Sequence, residues 1–161
     1  MDAKVLLCDF AEVSGGKLFI TGAGISLVAS SSPVAPFRIN LCLAILVSIG
    51  WNETDAQHRM TIELVSEAGG GQQRVPLSDQ LPEGSDEADM GLIVVLFSAA
   101  RSPVMVDGDE SSMPMTIPLF SLPLPEQGPY FFSVRIDSRE MDRASFRLLP
   151  QADIQRLTGT V

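Results

Sequence analysis

From Phe37 to Ile49 every odd position is aliphatic or aromatic, in the order Phe37, Ile39, Leu41, Leu43, Ile45, Val47 and Ile49, and the even positions are mostly polar or small. A helix would repeat its apolar positions at three and four. A period of two sustained over this length is a strand with one face on a core. The same alternation recurs in Met60, Ile62 and Leu64, in Tyr130, Phe132, Val134 and Ile136, and in Ala144, Phe146 and Leu148. Met113, Met115, Ile117 and Leu119 alternate around Pro114, Thr116 and Pro118. A residue without an N–H cannot donate to a ladder, so this last strand is expected at a sheet edge.

Lys4 to Val13 and Lys17 to Ser30 are apolar-rich and joined by Ser14-Gly15-Gly16, which predicts a hairpin. Asp89 to Ser98 differs, because Met90, Leu92, Val94 and Leu96 on one face are matched by Ile93, Val95 and Phe97 on the other. Turn-rich joints separate the strands at Ser30 to Pro36, Gly69-Gly70-Gly71, Pro82 to Ser85, Asp107-Gly108-Asp109 and Pro123 to Pro129. Only the end of the chain, with Ile154 and Leu157 after Pro150, has helical spacing, enough for a short helix. Many strands without helices between them predict an all-β fold. The expected architecture is an antiparallel β-sandwich of eight or nine strands, immunoglobulin-like in general form. The sandwich spans residues 1–149 and a tail spans 150–161.

The 161 residues fit a single domain, and a hydrophobic content of 45% is enough for a packed core. The net charge of −9 opposes binding to nucleic acid or to an anionic membrane surface. Two cysteines, Cys8 and Cys42, are too few for a disulfide scaffold, and the first residues lack the pattern of a secretion signal. The longest apolar run, Leu41 to Val47, is far shorter than a helical membrane span. These features together predict a cytoplasmic protein. Arginine dominates the basic residues, with only Lys4 and Lys17 as lysines, a bias expected of a GC-rich genome such as an actinobacterial one.

The segment Ala11 to Gly24 (AEVSGGKLFITGAG) resembles the opening of a family of small, mainly actinobacterial proteins of unknown function. Trp51-Asn52-Glu53 before His58, Ile62 to Val65, and Leu122 to Tyr130 before Arg135-Ile136-Asp137 are similar to further landmarks of that family. The resemblance runs across most of the chain. It implies an all-β domain and supplies no activity.

Candidate chemistry is sparse. Gly22-Ala23-Gly24-Ile25-Ser26-Leu27 has Leu27 where a dinucleotide loop needs its third glycine, and Ser26 lacks the second glycine of a nucleophile elbow. These glycines read as bulges or close-packing positions. His58, the single histidine, shares parity with Met60 and Ile62, so it reads as a capped structural residue; a hydrolytic pairing with Cys8 is the alternative. Cys8, between Leu6 and Phe10, reads as a buried, inert thiol. The acidic residues Asp79, Glu83, Asp86, Glu87 and Asp89, with Asp107, Asp109 and Glu110, read as solvated loops. The alternatives for them are calcium ligation or carboxylate hydrolysis. No cofactor or metal is expected.

The favoured reading is a non-enzymatic binding or assembly module. Its interaction surface is expected at Leu92 and Val94, with Met105, Met113 and Met115 supplying adaptable contacts if they do not fill the core. A strand with two apolar faces needs two covers, and the sandwich supplies one. The second cover is the C-terminal segment with Ile154 and Leu157, the Met-rich loop or a second subunit, and a homodimer through this region is the favoured expectation.

Overall fold

The computed structural model describes residues 1–30, 32–78, 91–150 and 153. Among these lie eleven strands: β1 (Asp2–Cys8), β2 (Phe10–Ser14), β3 (Lys17–Thr21), β4 (Leu27–Val28), β5 (Phe37–Gly50), β6 (Gln57–Ser66), β7 (Gln73–Val75), β8 (Leu92–Ser98), β9 (Glu110–Leu124), β10 (Gly128–Ile136) and β11 (Arg139–Leu148). Two short 3₁₀ turns, Trp51–Glu53 and Ala68–Gly70, interrupt them. The all-β expectation holds. The short helix expected around Ile154 and Leu157 lies outside the described residues.

Three sheets form. One has the order β1-β5-β9; a second runs β4-β11-β10-β6-β7, with β8 also on β6; the third is the β2-β3 hairpin. Every pairing is antiparallel except β11 with β4. Both larger sheets contribute to one hydrophobic cluster. Ile39, Leu41, Leu43, Ile45 and Val47 of β5 are buried there with Met60, Ile62 and Leu64 of β6, and with Tyr130, Phe132 and Val134 of β10. The odd positions of β5 are the core face, as the alternation requires. Tyr130 enters this core at the start of β10 and returns its hydroxyl to the carbonyl oxygen of Glu126, so the turn before the strand is pinned by a buried phenol.

Backbone alternation explains why β9 tolerates its prolines. In β1 the N–H of Val5 donates to the Asp142 carboxylate at 3.0 Å, and the C=O of Leu7 accepts from Gly24 at 3.0 Å. Odd residues of β1 therefore turn their polar backbone away from β5, and even residues bond to it. Carried through β5, this alternation points the backbone of Leu46 and Cys42 toward β1. Their partners across the other ladder are Pro114 and Pro118. The prolines thus occupy positions that need no N–H, at the end of a sheet.

The first hairpin departs from expectation. Lys4 to Val13 is not one strand, because the chain changes sheet at Asp9, whose N–H bonds the C=O of Thr21 at 3.2 Å. Gly22 packs against the Asp9 carboxylate, which would have to move to admit a Cβ, and its φ of +67° strains any residue with a side chain. β2 and β3 then close through Gly15 and Gly16, whose φ values of +56° and +71° match a two-residue hairpin turn. Ala11, Leu18 and Ile20 of this hairpin cover Cys8, Cys42 and Ala44 on the outer face of the three-stranded sheet. The Lys17 to Ser30 segment likewise divides, into β3 and the short β4.

Candidate functional site

The outer face of β8 is the expected interaction surface that remains open. β8 pairs with β6 from Gln57↔Ser98 to Glu63↔Leu92. Ile93, Val95 and Phe97 turn toward the core, whereas Val94 and Leu96 are 44% and 61% exposed and Leu92 is half-buried. The ladder geometry adds a second property. Arg59 N–H donates to Asp137 Oδ1 and Arg59 C=O accepts from Asp137 N–H, both at 3.0 Å, so the odd residues of β6 direct their backbone toward β10. The even residues bond to β8 through Ile93, Val95 and Phe97. Leu92, Val94 and Leu96 are then left with N–H and C=O directed to the side of β8 away from β6. No described strand pairs there, and Leu92–Ser98 contains neither proline nor charge. Nothing of what blunts β9 protects β8.

The methionines divide. Met113 and Met115 stand opposite Val47 and Ile45 and pack against the main core, so their role is core filling. Met105 is half-buried in the loop between β8 and β9, beside the exposed Val104 and Val106. The region near β8 is thus Leu92 and Val94, joined by Leu96, with Met105 in the following loop. Met90 lies outside the described residues.

His58 is held at both nitrogens. Nδ1 lies 2.7 Å from Asp137 Oδ2 and Nε2 lies 2.9 Å from the carbonyl oxygen of Glu53. The hydrogen bond to Asp137, then that to Glu53, raises the histidine pKa against the opposing effect of burial. Asp137 is held below the usual carboxylate range by the Arg59 N–H first and by His58 second. The ring's own hydrogen bonds leave neither nitrogen open to a substrate. Cys8 is not brought to it. Its thiol contacts the C=O of Cys42 at 3.4 Å in the small cluster beneath the hairpin, and burial, reinforced by Cys42, pushes its pKa up to about 11. These are the surroundings of an inert thiol.

The acidic loops are described only in part. Asp79, Glu83, Asp86, Glu87 and Asp89 lie outside the described residues. Asp109 is engaged within its own turn, accepting the Val106 N–H at 2.9 Å through its side chain, and its C=O accepts the Trp51 N–H at 3.1 Å. Among the described residues no three histidine, cysteine, aspartate or glutamate side chains are grouped to hold a metal ion. The Arg101 guanidinium lies 3.7 Å from the Trp51 ring centroid and bonds Thr54 Oγ1 at 2.9 Å and Trp51 O at 3.0 Å, which ties the end of β8 to the turn after β5.

Two surface features do not follow from strand alternation. Phe10, Phe19 and Phe120 are exposed, and the cross-strand pairing of Phe19 with Glu12 puts it on the polar face of the hairpin. The second is a cavity of about 150 Å³ lined by Arg59, Thr61, Arg135, Asp137 and Ser138. Strand parity in β6 alone marks Arg59 and Thr61 as outward-facing. Only the β6–β10 register brings Arg135 to them.

The family of unknown function DUF6941 matches residues 4–149. The chain belongs to this family. The match bears out the resemblance carried by Ala11 to Gly24 and by the later landmarks. It spans β2 to β11 and most of β1, so the DUF6941 region contains both the edge of β8 that no described strand pairs and the Arg59 cavity. No curated protein matches the chain. Among the described residues no helix is long and apolar enough to cross a membrane.

Proposed function

We propose that this domain is a non-enzymatic binding or assembly module, and that it associates as a homodimer through the open edge of β8. One observation carries the reading: the exposed side chains of Val94 and Leu96 belong to the same residues whose backbone N–H and C=O face away from β6. A second β8 laid antiparallel across a two-fold axis pairs those groups and sets Val94 and Leu96 beside their counterparts on one continuous apolar face. The charge of −9 on each copy opposes the association at long range. Salt therefore strengthens it, as screening shortens the Debye length from about 30 Å at 0.01 M to about 8 Å at 0.15 M.

Sedimentation velocity at micromolar concentration tests the reading. The native chain is expected as a dimer, strengthened by salt, and Val94→Lys with Leu96→Lys as a monomer with an unchanged far-UV spectrum. A native chain that sediments as a monomer at every salt concentration overturns it.

A further inference from the structure

We propose that the cavity between Arg59 and Arg135, on the outer face of the six-stranded sheet, is an oxyanion site whose preferred occupant is a phosphate group. The chain carries −9, yet the outward positions of this sheet hold Arg59, Arg74, Arg135, Arg143 and Arg147 against Glu63 and Glu140. Two of these five arginines are tightly engaged. Arg143 binds Glu140 at 2.8 and 3.0 Å, and Arg74 binds Glu63 Oε2 at 2.6 and 2.8 Å. Arg135 is left with a loose approach of 3.7 Å to the other oxygen of Glu63. The Arg59 guanidinium makes no hydrogen bond or ion pair to any described residue.

Register brings the two loosely held guanidiniums together. Arg135 is directly opposite Thr61, which makes Arg59 its diagonal neighbour on the same face. Two like charges so placed repel each other, and an anion between them removes the repulsion. The one carboxylate in the cavity wall does not serve as that anion. Asp137 Oδ2 lies 2.7 Å from His58 Nδ1 and Oδ1 accepts the Arg59 N–H at 3.0 Å, so both of its oxygens are already engaged. What the wall still offers is two guanidinium forks and the hydroxyls of Thr61 and Ser138, a set composed mainly of donors. Phosphate matches it better than a carboxylate, having more acceptor oxygens and a larger charge at neutral pH. The net negative charge of the chain does not decide the matter, because it is screened over about 8 Å at 0.15 M salt while the guanidinium contacts are direct.

The test is a titration of the full chain with inorganic phosphate, with acetate as the carboxylate arm, at ionic strength held constant with sodium chloride. The Arg59 and Arg135 Nε–H signals and the Thr61 and Ser138 amide signals are followed by NMR. Saturable phosphate binding centred on these four residues is expected, with acetate about tenfold weaker. Arg59→Gln and Arg135→Gln are each expected to weaken phosphate about tenfold. Arg147→Gln, on the same face outside the cavity, is expected to leave the affinity unchanged. Shifts that fail to saturate, equal loss in Arg147→Gln, or unchanged affinity in Arg59→Gln overturns the site. Acetate binding as tightly as phosphate overturns the choice of phosphate.

Discussion

Asp137 and His58 are separated by 79 residues in the chain and by 2.7 Å between Oδ2 and Nδ1. The carboxylate sits in the tight turn between β10 and β11, where Asp137 and Ser138 have φ of +50° and +70°. From there it reaches across to the start of β6, binding the histidine ring with one oxygen and the Arg59 N–H with the other. A turn in the left-handed region thereby fixes the entry of a central strand.

This pair predicts a defined pH dependence. The folded pKa of His58 is raised, so its contribution is complete below the unfolded value of about 6.5 and is lost as pH rises through the folded value. The folded pKa of Asp137 is lowered, so its contribution is present above about 3.9 and is lost as pH falls through the folded value. Both act together between those limits. The Asp137 side chain is 52% exposed, so solvent reduces the effect to about 1 kcal/mol. Urea unfolding of the native chain is expected to show that loss as pH rises above about 6.5, and Asp137→Asn, which the left-handed turn accepts, should reduce the slope, leaving the part that the Glu53 carbonyl supplies. An identical slope in the variant would refute the assignment.

The second prediction concerns Cys8 and Cys42, direct cross-strand partners on β1 and β5 beneath the hairpin. With its pKa pushed up to about 11, Cys8 holds far less thiolate near neutral pH than a free cysteine. Iodoacetamide is expected to leave both thiols unmodified in the native chain and to label both in urea, as read by intact mass. Rapid labelling of Cys8 without denaturant would contradict the inert-thiol reading and return attention to cysteine chemistry.

A third prediction follows from the edge of β9. Pro114 and Pro118 deny that edge two donors that another strand would use. Replacing both with threonine restores the N–H groups without disturbing the ladder to β5, and is expected to increase concentration-dependent association measured by light scattering. A double variant that stays as soluble as the native chain at every concentration would mean that the prolines do not protect this edge.

Some of this architecture was legible along the chain and some was not. Ile39 to Val47 declared their core face through a period of two, and the prolines of β9 declared an edge, because both are local properties of the backbone. His58 was readable as structural from its parity with Met60. The division of Lys4 to Val13 at Asp9 was not readable, since both halves satisfy strand chemistry and only contact with Gly22 and Thr21 separates them.

The sequence by itself determined the strands β5, β6, β10 and β11 and which faces they bury, because side-chain alternation is set within each strand by the pleat. Tertiary structure alone decided who sits beside whom. Cys8 meets Cys42, Asp137 meets His58, and Arg59 meets Arg135 through registers between distant strands. A slip of one residue in any of these ladders would turn the same side chains to the opposite face. Pairing is fixed by the burial of the whole core, so no local pattern encodes it.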